Sequence, residues 1–207
     1  RKKMSILSYF QQQRLTLQSG TALPAAQSLL TLAGQSELEA TLNPTSAATA
    51  LLAAIAQAYQ DGYEQQASTE FELQGIAFAG SGDPLLALEL LSQVLPAFKA
   101  QRHGVPVTLV TYGLVPAAEA EQLCQQLIAL EVERLEIYLP AANPPAYQQA
   151  VQPHQYGFAD VCQFIHTAAE AGLQVSCFAY APVKQASEIR ALAKELGARD
   201  WQLRDPG

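Results

Sequence analysis

From about residue 46 the chain alternates two kinds of segment. Short, mostly apolar runs give way to longer stretches whose apolar positions recur every three or four residues, the mark of strands followed by amphipathic helices. Leu73–Gly80, Val105–Thr111, Leu135–Leu139 and Gln174–Tyr180 read as strands, and "WQLRD" as a last one. Leu85–Arg102, Pro116–Glu131, Phe158–Gly172 and Ser187–Leu196 read as helices. Pro116 at an opening turn and Gly197 behind a closing one fit the asymmetry of helix ends. An earlier helix is predicted in "AATALLAAIAQAYQDGYEQQ", where Leu51, Leu52, Ile55, Ala58 and Tyr59 share a face. Pro44 breaks the segment before it, and Asn43, Thr45 and Ser46 are its candidate caps.

Strands joined by helices pair in parallel through right-handed crossovers. The pattern therefore predicts an α/β fold of parallel βα units, forming an open sheet or a partial TIM-type barrel. The units are too few for a full eight-fold barrel, and the strands read as apolar throughout, as in a sheet covered on both faces. Residues 1–45 have a different texture. "LTLQSGTALPAAQSLLTLAGQSELEATLNPTS" mixes short apolar runs with Ser, Thr, Gly and Pro, and Leu29–Leu32 and Leu38–Leu42 suggest short strands. The predicted organisation is a strand-bearing arm, 1–45, packed on a partial (β/α) barrel domain, 46–207.

Composition narrows the function classes. A chain of 207 residues suits one domain with a sizeable core. Its net charge of −7 argues against a nucleic-acid binder, which would show a basic face. No apolar run approaches the roughly 18–20 residues of a spanning helix, so membrane insertion is not expected. "RKKMSILSYFQQQ" is too briefly apolar for a secretory signal. Three cysteines without a C-x-x-C make no disulfide framework and suit a reducing compartment. The expected location is the cytoplasm, or an organelle lumen or matrix after loss of a transit peptide.

In parallel α/β sheets, ligands gather at the carboxyl ends of the strands. That face is predicted to hold Gly80, Ser81, Gly82 and Asp83, then Thr111, Tyr112 and Gly113. The long loop "PAANPPAYQQAVQPHQYG" adds Asn143, Tyr147, His154 and Tyr156, and the next adds Tyr180 and Lys184. His103 falls on the opposite edge. The turn in "GIAFAGSGDPLLAL" admits two readings: a structural reversal, or a cradle whose backbone N–H groups approach an anion while Asp83 accepts from an amine. It matches neither the dinucleotide fingerprint nor a P-loop. Cys162 and His166 stand i, i+4 on one predicted helix but lack further ligands, which favours a buried thiol over a metal site. No G-x-S-x-G occurs, and no cysteine lies in a strand-to-helix turn. His154 and Asp83 share the predicted face without a spacing that marks an acid–base pair.

Taken in order, these turns resemble the radical S-adenosylmethionine (radical SAM) enzymes. "FAGSGDPLL" is similar to their Gly-Gly-Glu-Pro motif, which contacts the methionine amine, and "VTLVTYGLV" to a strand ending in Thr-Asn-Gly. "RLEIYLPAANPPAYQQAVQPHQYGFADVCQFIHTAAEAGLQVSCFAY" is similar to the unit that follows, and the likeness spans residues 70–207. Its flavour is that of the small subgroup found beside TatD-type nucleases. The departures are as informative. The family's Cys-x-x-x-Cys-x-x-Cys, which holds a [4Fe–4S] cluster, is absent, since no cysteine precedes Cys124. Ser81 stands for a glycine, Asp83 for the glutamate and Tyr112 for the asparagine.

The resemblance thus implies a pseudoenzyme: no catalytic residues, no metal, no [4Fe–4S] cluster, and no resident cofactor. The expected role is a binding, scaffolding or assembly subunit with a protein partner. The alternative is a small-molecule or nucleotide-binding protein, S-adenosylmethionine included, that uses Gly80, Ser81, Gly82, Asp83, Thr111, Tyr112, His154, Tyr180 and Lys184 without a cluster. A third reading places the cysteine loop upstream of this sequence, although segment 5–42 occupies its place in the order of elements.

Overall fold

The computed structural model describes residues 6–11, 14–19, 48–49, 51–53, 55–56, 60, 75–80, 83–153 and 155–205. Seven strands form one sheet in chain order: β1 (Ile6–Gln11), β2 (Arg14–Ser19), β3 (Gly75–Gly80), β4 (Val107–Thr111), β5 (Val132–Tyr138), β6 (Gln174–Tyr180) and β7 (Trp201–Arg204). Strands β3 to β7 are all parallel; β2 joins β3 in parallel and β1 folds back antiparallel on β2. Five helices accompany the later strands: α1 (Leu88–Gln101), α2 (Ala120–Ala129), α3 (Pro144–Val151), α4 (Phe158–Glu170) and α5 (Ala186–Glu195). The parallel sheet with intervening helices bears out the α/β class.

Strictly sequential strand order has a consequence for packing. Right-handed crossovers that always step to the next strand leave the helices on one face of the sheet. The core has that shape. Ile76, Phe78, Leu109, Ile137 and Cys177 from alternate strand positions pack with Leu95 and Phe98 of α1, Leu127 of α2, Phe164 of α4 and Ile189 of α5 in one cluster. The other face carries a separate, smaller cluster of Ala77, Val110 and Phe178, bordered by Ala79, Tyr138 and Tyr180. It also carries polar groups: Arg204 stacks its guanidinium 4.0 Å from the Phe178 ring centre and donates to Glu136 Oε2 at 2.9 Å. Strand β3 is apolar and β4 is buried at every position, but the expectation of strands apolar throughout fails in β5. In β5, Leu135 and Ile137 face the helices while Arg134, Glu136 and Tyr138 take the alternate positions.

Element ends follow local chemistry. The segment expected as one helix from Leu85 begins as a 3-10 turn, Pro84–Ala87, and becomes α-helical at Leu88. Likewise Ala117–Glu119 is a 3-10 turn ahead of α2. Helix α2 stops before the expected Glu131 because Glu131 takes φ +56° and donates its N–H back to the Ile128 carbonyl, which launches β5 at Val132. The long loop after β5 proves to contain helix α3. Asn143 caps it by accepting the Ala146 N–H at 3.0 Å, two prolines fill the first helical positions, and Gln152 at φ +51° ends it.

Helical residues within 48–60 place Ala48, Leu51 and Ile55 in the main core; Ala58 and Tyr59 lie outside the described residues. The strands expected at Leu29–Leu32 and Leu38–Leu42 also lie outside them. Strands β1 and β2 fall within the first 45 residues and belong to the main sheet. No described helix is long and apolar enough to cross a membrane.

Candidate functional site

Asp83 is the hub of the strand ends. It follows β3 and stands immediately before the 3-10 turn, where backbone N–H groups lack helical partners. Its Oδ1 accepts the Leu85 N–H at 3.0 Å, which caps the turn. Its Oδ2 accepts the Thr111 hydroxyl at 2.6 Å and the Tyr112 N–H at 2.9 Å. Thr111 Oγ1 in turn accepts the Gly113 N–H at 2.9 Å, so one carboxylate fixes the exit of β4 over three residues. The side chain is buried, and burial pushes its carboxyl above the ordinary 3.8, against the pull of its three donors.

The exit of β4 is shaped by Gly113 as well as by Asp83. Gly113 sits at φ +64°, and a Cβ there would come within 3.0 Å of Phe164 Cδ1 and 3.1 Å of Ile137 Cγ2. Glycine is therefore required both for the backbone conformation and for the close approach of α4. Tyr112 is buried and belongs to the main core cluster. It meets Tyr138 edge-on, with centroids 5.2 Å apart, and Tyr138 lies 5.9 Å from Tyr180 and 5.6 Å from Phe178. Burial raises the phenols of Tyr112 and Tyr138 above their ordinary 10.0, so both remain protonated at neutral pH.

Of the residues singled out by sequence, the structure brings Asp83, Thr111 and Tyr112 together and sets Tyr180 beyond them, with the Tyr138 ring in between. Gly80 ends β3 and pairs with Ser19 of β2. Ser81, Gly82 and His154 lie outside the described residues. Lys184 is exposed in the turn before α5. Tyr147, expected on the rim, is instead fully buried, its ring 5.6 Å from Phe158 and its hydroxyl without a partner among the described residues. Asn143 is spent as the α3 cap. His103 is exposed at the far edge, as its helix-to-strand turn predicted. Sequence reasoning missed Tyr138, Phe178, Glu136 and Arg204; the polar–apolar alternation of "RLEIY" was the signal for the first and third.

The cysteines stand apart from this rim. Cys124 lies in α2, Cys162 in α4 and Cys177 in β6. Burial lifts the first two thiols to about 11, and burial with the nearby Asp200 lifts the third to about 12. Thiols so protonated are poor nucleophiles and poor metal ligands. Among the described residues, no three His, Cys, Asp or Glu side chains gather as metal ligands.

Beside Asp83 lies a groove of about 420 Å³ between the 3-10 turn, α2 and the segment ahead of α4. Leu85, Leu88, Leu114, Val115 and Leu123 line it, with Glu119, Gln122, Gln126 and Tyr156 also on its walls. Leu86, also on its wall, is 46% exposed. No known family profile matches the chain, and no curated protein sequence matches it significantly.

Proposed function

We propose that this chain is a non-catalytic, radical-SAM-like binding subunit that works as an assembly or scaffolding component for a protein partner. The observation that carries this reading is the commitment of Asp83. In the resembling motif the equivalent carboxylate is free to meet the methionine amine; here both oxygens are taken by Leu85, Thr111 and Tyr112. The protonated, buried thiols support the same reading, since a cluster needs thiolates on an accessible loop. Sequential strand order with the helices packed on one face supports a partial TIM-type barrel, whose concave side would be the Tyr138–Phe178 face.

A second reading is favoured by one specific feature, the half-buried Tyr138 and Tyr180 rings at the strand ends, which would offer faces for stacking a planar ligand. In that case the protein binds a nucleotide-like small molecule without a cluster. Thermal-shift titrations with S-adenosylmethionine, S-adenosylhomocysteine and nucleotides separate the two. The scaffold reading expects no stabilisation by any of them, together with a defined complex on purification from the source cell. Saturable stabilisation that is lost in Tyr138→Ala would establish the second reading instead.

A further inference from the structure

A second cleft lies at the opposite edge of the sheet, away from Asp83. It has a volume of about 260 Å³ and sits at the amino ends of β5 and β6 and just ahead of β7, lined by Arg134, Glu136, Gln174, Ser176, Arg199 and Asp200. We infer that this cleft is an anion site that takes the oxyanion group, phosphate or carboxylate, of a small molecule between the Arg134 and Arg199 guanidinium groups. The inference is independent of the scaffold reading.

Placement comes from the ladder. Arg134 pairs in register with Gln174, and the Arg199 N–H donates to the Val175 carbonyl at 2.8 Å. The two arginines therefore leave the backbone about two strand spacings, or roughly 10 Å, apart. Both line the same cleft, so their long side chains flank a gap suited to one small anion. Arginine forks match carboxylate and phosphate oxygens in pairs, and the Gln174 amide and Ser176 hydroxyl add neutral donors on the same wall.

The cleft is lined by two arginines and two carboxylates. Glu136 is already met by Arg204 at 2.9 Å, whereas Asp200 accepts only from the neutral Gln202 amide at 2.7 Å and keeps its charge, so with Arg204 counted the cleft carries one net positive charge. Among the described residues, neither Arg134 nor Arg199 makes an ion pair or side-chain hydrogen bond. In a chain with only 12 Lys and Arg and a net charge of −7, two unpaired arginines on one cleft are a concentrated exception.

The test uses the full chain and its single tryptophan, Trp201, which follows Asp200 directly. Inorganic phosphate and malonate are titrated separately at constant ionic strength, followed by Trp201 fluorescence and by calorimetry. Saturable binding is expected for at least one, weakened roughly tenfold or more by Arg134→Gln and again by Arg199→Gln, the scale of losing one charge-assisted pair. Both side chains are exposed, so the variants should melt with the parent in the absence of anion, and Lys194→Gln on the outer helix should bind like the parent. Phosphate binding alone assigns a phosphorylated ligand; malonate binding alone assigns a carboxylate. No saturable binding of either, or binding untouched by both arginine variants, overturns the assignment.

Discussion

Replacing Asp83 with alanine probes the hub directly. The substitution removes three hydrogen bonds at once: the cap on the Leu85 N–H, the tie to the Thr111 hydroxyl and the tie to the Tyr112 N–H. Loss of a capping side chain costs about 1 kcal/mol. The Tyr112 N–H, left unpaired at a buried turn, adds about 1–3 kcal/mol. The Thr111 hydroxyl can rotate, so its loss is at the low end of that scale. Removing a carboxyl whose burial is itself unfavourable offsets part of the sum. A net loss of about 3 kcal/mol follows, or roughly 6–12 °C in melting temperature for a chain of this size. Calorimetric or circular-dichroism melts at neutral pH measure it.

The same pair of proteins makes a pH prediction with a definite sign. The folded carboxyl sits above 3.8, so the native state holds this proton more tightly than the unfolded chain. The stability linked to it is present below pH 3.8 and is lost as pH rises through the folded value. The gap between parent and Asp83→Ala should therefore narrow with rising pH across that window. A variant that melts within a degree or two of the parent would show that Asp83 is not a clamp. It would return the residue to the pool of free ligand contacts and refute the reasoning behind the proposed function.

Other parts of the fold give independent checks. Lys99 is buried, donates to the Val105 carbonyl at 3.1 Å and pairs with Glu133, whose other oxygen accepts the Val107 N–H at 2.6 Å. Lys99→Met should cost about 2 kcal/mol by denaturant melts, less than a fully buried pair because Glu133 is 38% exposed. Gly113→Ala forces a Cβ against Phe164 and Ile137 at positive φ and should destabilise by about 1–3 kcal/mol; an unchanged melt would mean that the β4 exit yields freely. A thiol reagent at pH 8 should label the native chain slowly, because pKa values of about 11 to 12 leave little thiolate, and should react with all three cysteines on unfolding. Rapid native labelling of Cys124 or Cys177 would contradict their burial.

The sequence carried the βα rhythm because each strand and helix has its own period, and β3, β4, β6, α1, α4 and α5 fall close to where those periods placed them. Helix α3 escaped notice because "NPPAYQQAV" opens with two prolines, which signal a loop unless the Asn143 cap ahead of them is recognised. The polar groups on the other face were hidden for a different reason. Strand β4, "VTLVT", is buried at every position, and only Glu136 and Arg134 in β5 mark where the polar groups begin. At the strand ends, the pattern brought Asp83, Thr111 and Tyr112 onto one rim but could not say whether Asp83 faced outward or inward. That choice depends on donors 28 and 29 residues away, which no local pattern encodes. Tyr147 misled for the same reason: a tyrosine in a polar stretch looked exposed, yet helix formation turned it into the core.

Equilibrium titration of the intact, reduced chain with S-adenosylmethionine, after anaerobic incubation with iron and sulfide, tests the central claim most directly. The account predicts no iron–sulfur absorbance and no saturable heat of binding. A cluster spectrum, or S-adenosylmethionine binding that Asp83→Ala abolishes while the variant remains folded, would contradict it.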